Sequence, residues 1–156
     1  MKALVTYFSA SGVTAKLARR LSDAINAPLY EIKPAVPYTE ADLDWRNEQS
    51  RSTIEMQDEN CRPALADTNA PVAGADIIFV GYPVWWYREP SIIDSFLEAY
   101  DFTGKKIVLF ATSGSSDIGQ EAPARAAEIA KAEVLAGKRF STNVSADELK
   151  AWAENL

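Results

Sequence analysis

The chain has 156 residues, 47% of them hydrophobic, which suits one domain over 1–156 with a substantial buried core. Histidine is absent and Cys61 is the single cysteine, so the commonest general base and metal ligand is missing and an intramolecular disulfide is excluded. Because the net charge is −6 and neither a signal peptide nor an apolar run of membrane-span length is present, we expect no nucleic-acid or membrane partner and a cytoplasmic location.

Predicted strands and helices alternate along the chain, which is the pattern of a parallel sheet with helices on both faces. Runs of apolar, β-branched and aromatic residues predict strands at about 2–8, 29–32, 75–81, 106–111 and 133–137. Apolar residues at helical spacing predict helices at about 13–25, 90–100, 119–131 and 146–155. The fold class expected from this order is α/β.

Residues 34–74 depart from that alternation, because they are polar and interrupted by prolines. Connections of this length in a compact domain are usually functional or partly disordered. One helix is predicted from about Thr39 to Ser50, since Thr39 and Asp42 have the spacing of a capping box. Packing on the body, rather than covering a ligand, is the favoured role for the large apolar residues of the segment, Trp45, Ile54 and Met56.

The turn between the first strand and the first helix, residues 9–14, carries three hydroxyls and a glycine. The first N–H groups of a helix have no partner within it, and the helix dipole is positive there. Ser9, Ser11 and Thr14 add hydroxyl donors, and Gly12 lets the backbone come close to a bound group. This pattern predicts a site for a phosphate ester.

The spacing of the glycines narrows the kind of phosphate. Neither G-x-x-x-x-G-K-[ST] nor G-x-G-x-x-G occurs, which argues against a triphosphate loop and a dinucleotide fingerprint. A single terminal phosphate, neutralised by hydrogen bonds and dipoles, is favoured. The alternative is that Ser9 and Ser11 only cap the helix, but one hydroxyl would suffice for that purpose.

Ligands of open parallel sheets bind beyond the carboxyl ends of the strands, where the loops 9–14, 82–89 and 112–119 are expected to converge. The second loop places three aromatic residues in succession, Trp85-Trp-Tyr87, which suits stacking on a flat conjugated ring. Alternatively, at least one of them folds inward or lies in a dimer interface. The third loop offers hydroxyls, backbone amides and glycines to a ligand. Alternatively, it is only a flexible turn before a helix. A phosphate, an aromatic wall and polar donors together describe a flavin mononucleotide (FMN) site.

The three motifs, in order and each after a strand, resemble those of the flavodoxin family, specifically short-chain flavodoxin-like proteins with a Pro-Val-Trp-Trp loop. The resemblance covers essentially the whole chain. It implies a three-layer fold, a five-stranded parallel sheet in the order 2-1-3-4-5 and non-covalent FMN. By this resemblance the phosphate is held by Ser9, Ser11, Gly12, Val13 and Thr14. The isoalloxazine ring and its polar edge are met by Pro83, Val84, Trp85, Trp86, Tyr87, Thr112, Ser113, Gly114, Ser115 and Gly119.

Two features depart from the family pattern. Relatives commonly have glycine where this chain has Tyr87, in a loop whose peptide flips towards the flavin N5 on one-electron reduction. Glycine makes such a flip cheap, whereas tyrosine does not. The third loop lacks an aromatic residue, so one face of the ring is open or covered by another group, and an open face would admit a hydride donor or a flat substrate.

The resemblance leaves the role open between three classes. The favoured one is an electron carrier between redox partner proteins, which the acidic surface supports. The alternative is an NAD(P)H-dependent FMN reductase acting on quinones or similar small acceptors, in which Arg88 would meet an anionic donor. For Arg88 itself, a solvated pair with Glu89 at a helix start is the favoured interpretation. A regulatory flavin-binding module is the third class. The sequence leaves monomer and dimer open.

Overall fold

Five parallel strands form the centre of the protein in the computed structural model, which describes residues 2–113, 118 and 121–156. Their order in the sheet is β2-β1-β3-β4-β5, which confirms the order 2-1-3-4-5. The strands are β1 Ala3–Tyr7, β2 Leu29–Glu31, β3 Ile77–Pro83, β4 Lys106–Thr112 and β5 Glu133–Phe140. The helices are α1 Val13–Ile25, α2 Arg51–Gln57, α3 Ser91–Ala99, α4 Ala122–Ala130 and α5 Ala146–Glu154, with a 3₁₀ turn at Val72–Gly74.

The two faces of the sheet carry separate apolar cores. Side chains alternate along a strand, so the neighbours Leu4 and Val5 of β1 belong to different clusters. One cluster receives α3 and α4, for example through Phe96, and the other receives α1 and α5 through residues such as Leu21 and Leu149. The predicted three-layer α/β architecture is therefore confirmed. None of the helices within the described residues has the length and apolar character that a membrane span requires.

Strand β3 runs two residues beyond its predicted end at Gly81. Gly81 and Tyr82 pair with Phe110 and Ala111 of β4, and Tyr82 is fully buried. Glycine weakens a strand on average, but here it is needed, because a Cβ at this position would lie 2.2 Å from the Phe110 ring. Strand β5 likewise continues past Gly137, where a Cβ would lie 2.2 Å from a side-chain carbon.

The predicted helix from Thr39 to Ser50 is wrong. The capping-box hydrogen bonds do form, since Thr39 N donates to Asp42 Oδ2 and Asp42 N donates to Thr39 Oγ1. The chain then leaves the helical path, because the Asp44 and Asn47 side chains accept hydrogen bonds from backbone N–H groups two residues further on. Short polar side chains compete in this way with the helical ladder.

The helix of this segment is α2, which begins where the turns end. Ser50 caps it by accepting a hydrogen bond from Thr53 N. Met56 is buried, as packing on the body requires, whereas the side chains of Trp45 and Ile54 are 67% and 52% exposed. Packing is thus the outcome for only one of the three apolar residues.

We expect Gly81→Ala to destabilise the protein by roughly 1–3 kcal/mol, because the added methyl group overlaps the enclosed Phe110 ring. Urea denaturation of the variant and the wild type measures the loss. Gly74→Ala is the matched control, since nothing lies within 4 Å of its added Cβ. Equal unfolding free energies for the two variants would contradict the close approach.

Candidate functional site

The N-terminus of α1 is open to a ligand. Its N-cap residue, Gly12, has φ 92° and caps the helix with no side-chain hydrogen bond. Ser9 Oγ instead accepts from Gly12 N at 3.0 Å, which shapes the loop, and Ser11 is exposed. By contrast, α2 and α5 are capped by the side chains of Ser50 and Ser145. The capping alternative for the first loop is thus not supported, and the first amides of α1 are available to an anion.

A buried pair of hydroxyls joins this loop to the end of β4. Thr14 Oγ1 lies 2.8 Å from Thr112 Oγ1, and both residues are buried. Pro83 pairs with Thr112 in the sheet, and Val84 N donates to Thr112 O at 3.0 Å. The structure therefore brings the first loop and the start of the second loop to the same strand end, as the sequence predicts.

The second loop is a two-residue turn, here named the aromatic turn, Trp85–Arg88. Trp85 N donates to Arg88 O at 3.0 Å, and Arg88 N donates to Trp85 O at 3.1 Å. The two central residues, Trp86 and Tyr87, have φ of 49° and 63°. Positive φ at both central positions is the requirement of a type I′ turn, which asparagine and glycine normally fill. Each non-glycine residue held there costs about 1 kcal/mol or more.

The three successive aromatic side chains lie in different surroundings. Trp85 folds inward and meets Phe8 and Tyr38 edge to face, with ring centroids 5.6 and 5.5 Å away. Trp86 is 40% exposed and Tyr87 is 79% exposed. One aromatic residue thus supports the turn from below, as the inward alternative predicted, and the other two are available to a flat ligand.

Tyr38 is a component of the site that sequence reasoning missed. The Arg51 guanidinium lies over its ring at 3.8 Å, and its hydroxyl donates to Glu55. Burial, followed by this hydrogen bond, raises the pKa of Tyr38, so its hydroxyl stays protonated. Arg88 Nη2 also donates to Met56 O at 3.1 Å. The segment 34–74 therefore packs against one side of the aromatic turn. The sequence does not indicate this contact, because Tyr38 is a single tyrosine in a polar stretch.

The predicted solvated pair of Arg88 and Glu89 is also wrong. Glu89 is 2% exposed, and its Oε1 accepts from Arg125 Nε at 3.0 Å. Arg125 Nη2 donates to the buried Asp94 Oδ2 at 2.8 Å. Nη1 of Arg88 and Nη1 of Arg62 lie 3.8 and 3.7 Å from the same oxygen. We call these five residues the buried ion cluster; Arg125 and Asp94 are too distant in sequence for a local pattern to reveal it.

The carboxyl group of Asp94, in the buried ion cluster, favours its protonated form. Burial raises the pKa of Asp94 to about 8, and the hydrogen bond and negative charge of Glu89 act in the same direction, whereas Arg125 opposes the shift. Glu89 Oε2 and Asp94 Oδ1 are buried and accept no hydrogen bond from the described residues. A proton held on Asp94 and shared with Glu89 would satisfy both oxygens.

The third loop is described only at its ends. Ser113 O accepts from Arg139 Nη2 at 3.1 Å, and Ile118 O accepts from the buried Tyr82 hydroxyl at 3.3 Å. Three of the predicted cofactor-binding residues lie outside the described residues: Gly114, Ser115 and Gly119.

A family model described as Flavodoxin matches residues 2–156. This chain belongs to the flavodoxin family. A comparison with curated proteins finds no match.

Several solved structures share the fold. A candidate flavoprotein from Bacteroides eggerthii is 39% identical, with 99% of this chain and 96% of that chain covered and a TM-score of 0.92. Another, from Bacteroides uniformis, is 41% identical, with 98% and 97% covered and a TM-score of 0.91. A flavoprotein from Lactobacillus acidophilus, solved in complex with FMN, is 24% identical, with 97% and 98% covered and a TM-score of 0.71.

We expect the stability of the protein to fall as the pH rises from about 4 to about 8, because Asp94 binds a proton in the folded state across that window and releases it on unfolding. Urea denaturation at pH 5 and pH 8 compares the wild type with Asp94→Asn. The wild type should lose on the order of 1–3 kcal/mol more than the variant between the two pH values. Parallel losses would show that Asp94 is ionised next to Glu89, Arg62, Arg88 and Arg125.

Proposed function

We propose that this protein binds FMN at the carboxyl edge of its sheet and carries electrons between redox partners. The observation that carries the proposal is the pairing of an uncapped helix N-terminus with an exposed aromatic turn at the same edge. Bound FMN would supply the redox chemistry, and the chain would position and tune it.

The first loop fits the phosphate of FMN. A Cβ added to Gly12 would meet nothing within 4 Å, so the backbone there is open to a ligand. The amide groups that begin α1 and the exposed Ser11 hydroxyl are donors, and the positive end of the helix dipole favours an anion. Ser9 accepts a hydrogen bond from Gly12 N and, among the described residues, donates none, so its O–H is a further donor.

The aromatic turn fits the isoalloxazine ring. Trp86 and Tyr87 expose large apolar surfaces, while Trp85 is held from below by Phe8 and Tyr38. Aromatic faces stack on flat conjugated rings and lower their exposure to water. The FMN complex of the Lactobacillus acidophilus protein agrees with this fit at the level of the fold.

Acidic residues around the turn support the role of a carrier. Residues 40–59 contain seven acidic and two basic residues, a net charge of −5 against −6 for the whole chain. This stretch contacts the aromatic turn through Met56. A basic surface on a partner would be steered to that side of the molecule, as transient electron-transfer complexes require.

The reductase alternative keeps one supporting observation, the exposure of Tyr87, which leaves the turn accessible to a small acceptor. The contact between Arg88 and an anionic hydride donor has no such support. The Arg88 guanidinium is turned inward, where it donates to Met56 O, Glu89 O and the Ser91 hydroxyl.

An anaerobic reductive titration of the FMN-loaded protein, followed by visible absorption, tests the role. A carrier should pass through a stable one-electron-reduced form and should leave NADPH and NADH unoxidised. Rapid two-electron bleaching by either nucleotide, with turnover on an added quinone, would establish the reductase instead. Failure of the wild type to bind FMN would overturn both.

Thr14→Val tests the phosphate assignment. The variant should weaken FMN by about tenfold and riboflavin by less, because the lost hydroxyl serves the phosphate. Thr112→Val is the matched control: it removes the same hydroxyl pair from the other side and should weaken both ligands alike. Fluorescence titration gives the dissociation constants. An FMN-to-riboflavin ratio that is the same in both variants would remove Thr14 from the phosphate site.

A further inference from the structure

The conformation of the aromatic turn needs support from outside the turn. Trp86 and Tyr87 both occupy the left-handed region, which bulky side chains avoid. Their exposed side chains gain little packing in return. Such backbone conformations persist only where the surroundings determine them, and they concentrate at ligand clamps and switch regions.

The last residue of the turn is held on several sides. Arg88 closes the turn through two backbone hydrogen bonds with Trp85. Its guanidinium donates to Met56 O and to Glu89 O and lies 3.8 Å from Asp94 Oδ2. The turn is therefore fixed to α2 on one side and to the buried ion cluster on the other.

Arg125 lies on α4 and links Glu89 and Asp94 of the buried ion cluster to that helix. Its Nε donates to Glu89, the residue that follows the turn, and its Nη2 donates to Asp94, on the first turn of α3. A planar guanidinium can hold two carboxyl oxygens in fixed directions, whether or not one of the carboxyl groups carries a proton. Buried ion pairs gain little net stability because desolvation offsets their attraction, and one of their attested uses is to select a conformation.

We propose that Arg125 is a positioning residue for the FMN ring: through Glu89 and Asp94 it fixes the end of the aromatic turn and so holds Trp86 and Tyr87 in the conformation that receives the ring. The inference rests on the proposed binding of FMN and extends it to a residue on α4, 36 positions from Glu89 in sequence. If the turn is competent in only a fraction of molecules, the apparent dissociation constant rises by the inverse of that fraction.

Arg62 provides a matched comparison. It lies 3.7 Å from the same Asp94 oxygen, but its Nε donates at 2.8 Å to the half-exposed Glu98. Among the described residues, Arg62 contacts neither Glu89 nor the aromatic turn. Arg62→Met therefore removes a positive charge from the cluster without releasing the turn.

The experiment compares Arg125→Met, Arg125→Lys and Arg62→Met with the wild type. Near-ultraviolet circular dichroism of the FMN-free proteins reports the surroundings of the tryptophans, thermal unfolding reports stability, and fluorescence titration gives dissociation constants for FMN and riboflavin. We expect Arg125→Met to raise both constants by about tenfold or more and to change the dichroism, with partial recovery in Arg125→Lys. Arg62→Met should keep both constants and the dichroism close to wild type.

A lower unfolding temperature in Arg125→Met with wild-type dichroism and wild-type ligand binding would overturn the proposal, since Arg125 would then only join α4 to the body. If Arg125→Met does not fold, Glu89→Gln replaces it, because the amide keeps the shape of the side chain and weakens its charge-assisted bond to Arg125. Glu89→Gln should also raise both dissociation constants and change the dichroism. Wild-type ligand binding and dichroism in this variant would overturn the proposal. If the wild type itself binds no FMN, the proposed function fails, while the dichroism still tests the control of the turn.

Discussion

The parallel register of the central strands is the constraint on which the candidate site depends. Tyr7 of β1 pairs with Gly81 of β3, and Pro83 pairs with Thr112 of β4, so three chain segments that are far apart in sequence leave the sheet at one edge. The close contact of Gly81 with the Phe110 ring permits that register, because a side chain at this position would push the two strands apart. The hydroxyl pair of Thr14 and Thr112 lies at this same edge.

Beyond the sheet edge, two kinds of interaction hold the second loop, and they act over different ranges. Backbone hydrogen bonds between Trp85 and Arg88 define the turn locally, and the edge-to-face contacts of Trp85 with Phe8 and Tyr38 set its height above the core. The buried ion cluster acts over a longer range, since it brings α3 and α4 to the same residues. Apolar contacts alone would leave the direction of the turn less defined, because they lack the directionality of charge-assisted hydrogen bonds.

Local pattern predicted the elements well where one interaction dominates. The apolar runs of β1 and β4 predict strands correctly because both of their faces are buried, and the apolar spacing of α1 and α5 predicts helices correctly because one face of each is buried. The errors occur where a distant partner or a competing local bond decides. Gly81 suggested a strand end but is required by Phe110, and the polar side chains after Asp42 break the helix that its capping box starts.

For the candidate site too, the sequence predicted the features that adjacent residues determine and missed those that distant partners determine. The first loop has a sequence signature because the proposed phosphate site uses residues adjacent in the chain, namely a glycine and hydroxyls before a helix. The inward turn of Arg88 and the burial of Glu89 have none, since their partners on α2, α3 and α4 are supplied by the tertiary fold. Charged pairs at a helix start are usually solvated. Here Glu89 is buried and Arg88 is turned inward because α2, α3 and α4 pack around them.

The aromatic turn combines two unfavourable features, left-handed backbone at bulky residues and exposed aromatic surface, in one place. Each is uncommon alone, and neither is offset by packing of the two exposed side chains on the protein itself. A sequence that satisfied only the stability of the fold would place glycine or asparagine at these positions. The departure from that local rule, with an ion cluster and a wall of the 34–74 segment built around it, is the expected mark of a site whose conformation serves a ligand.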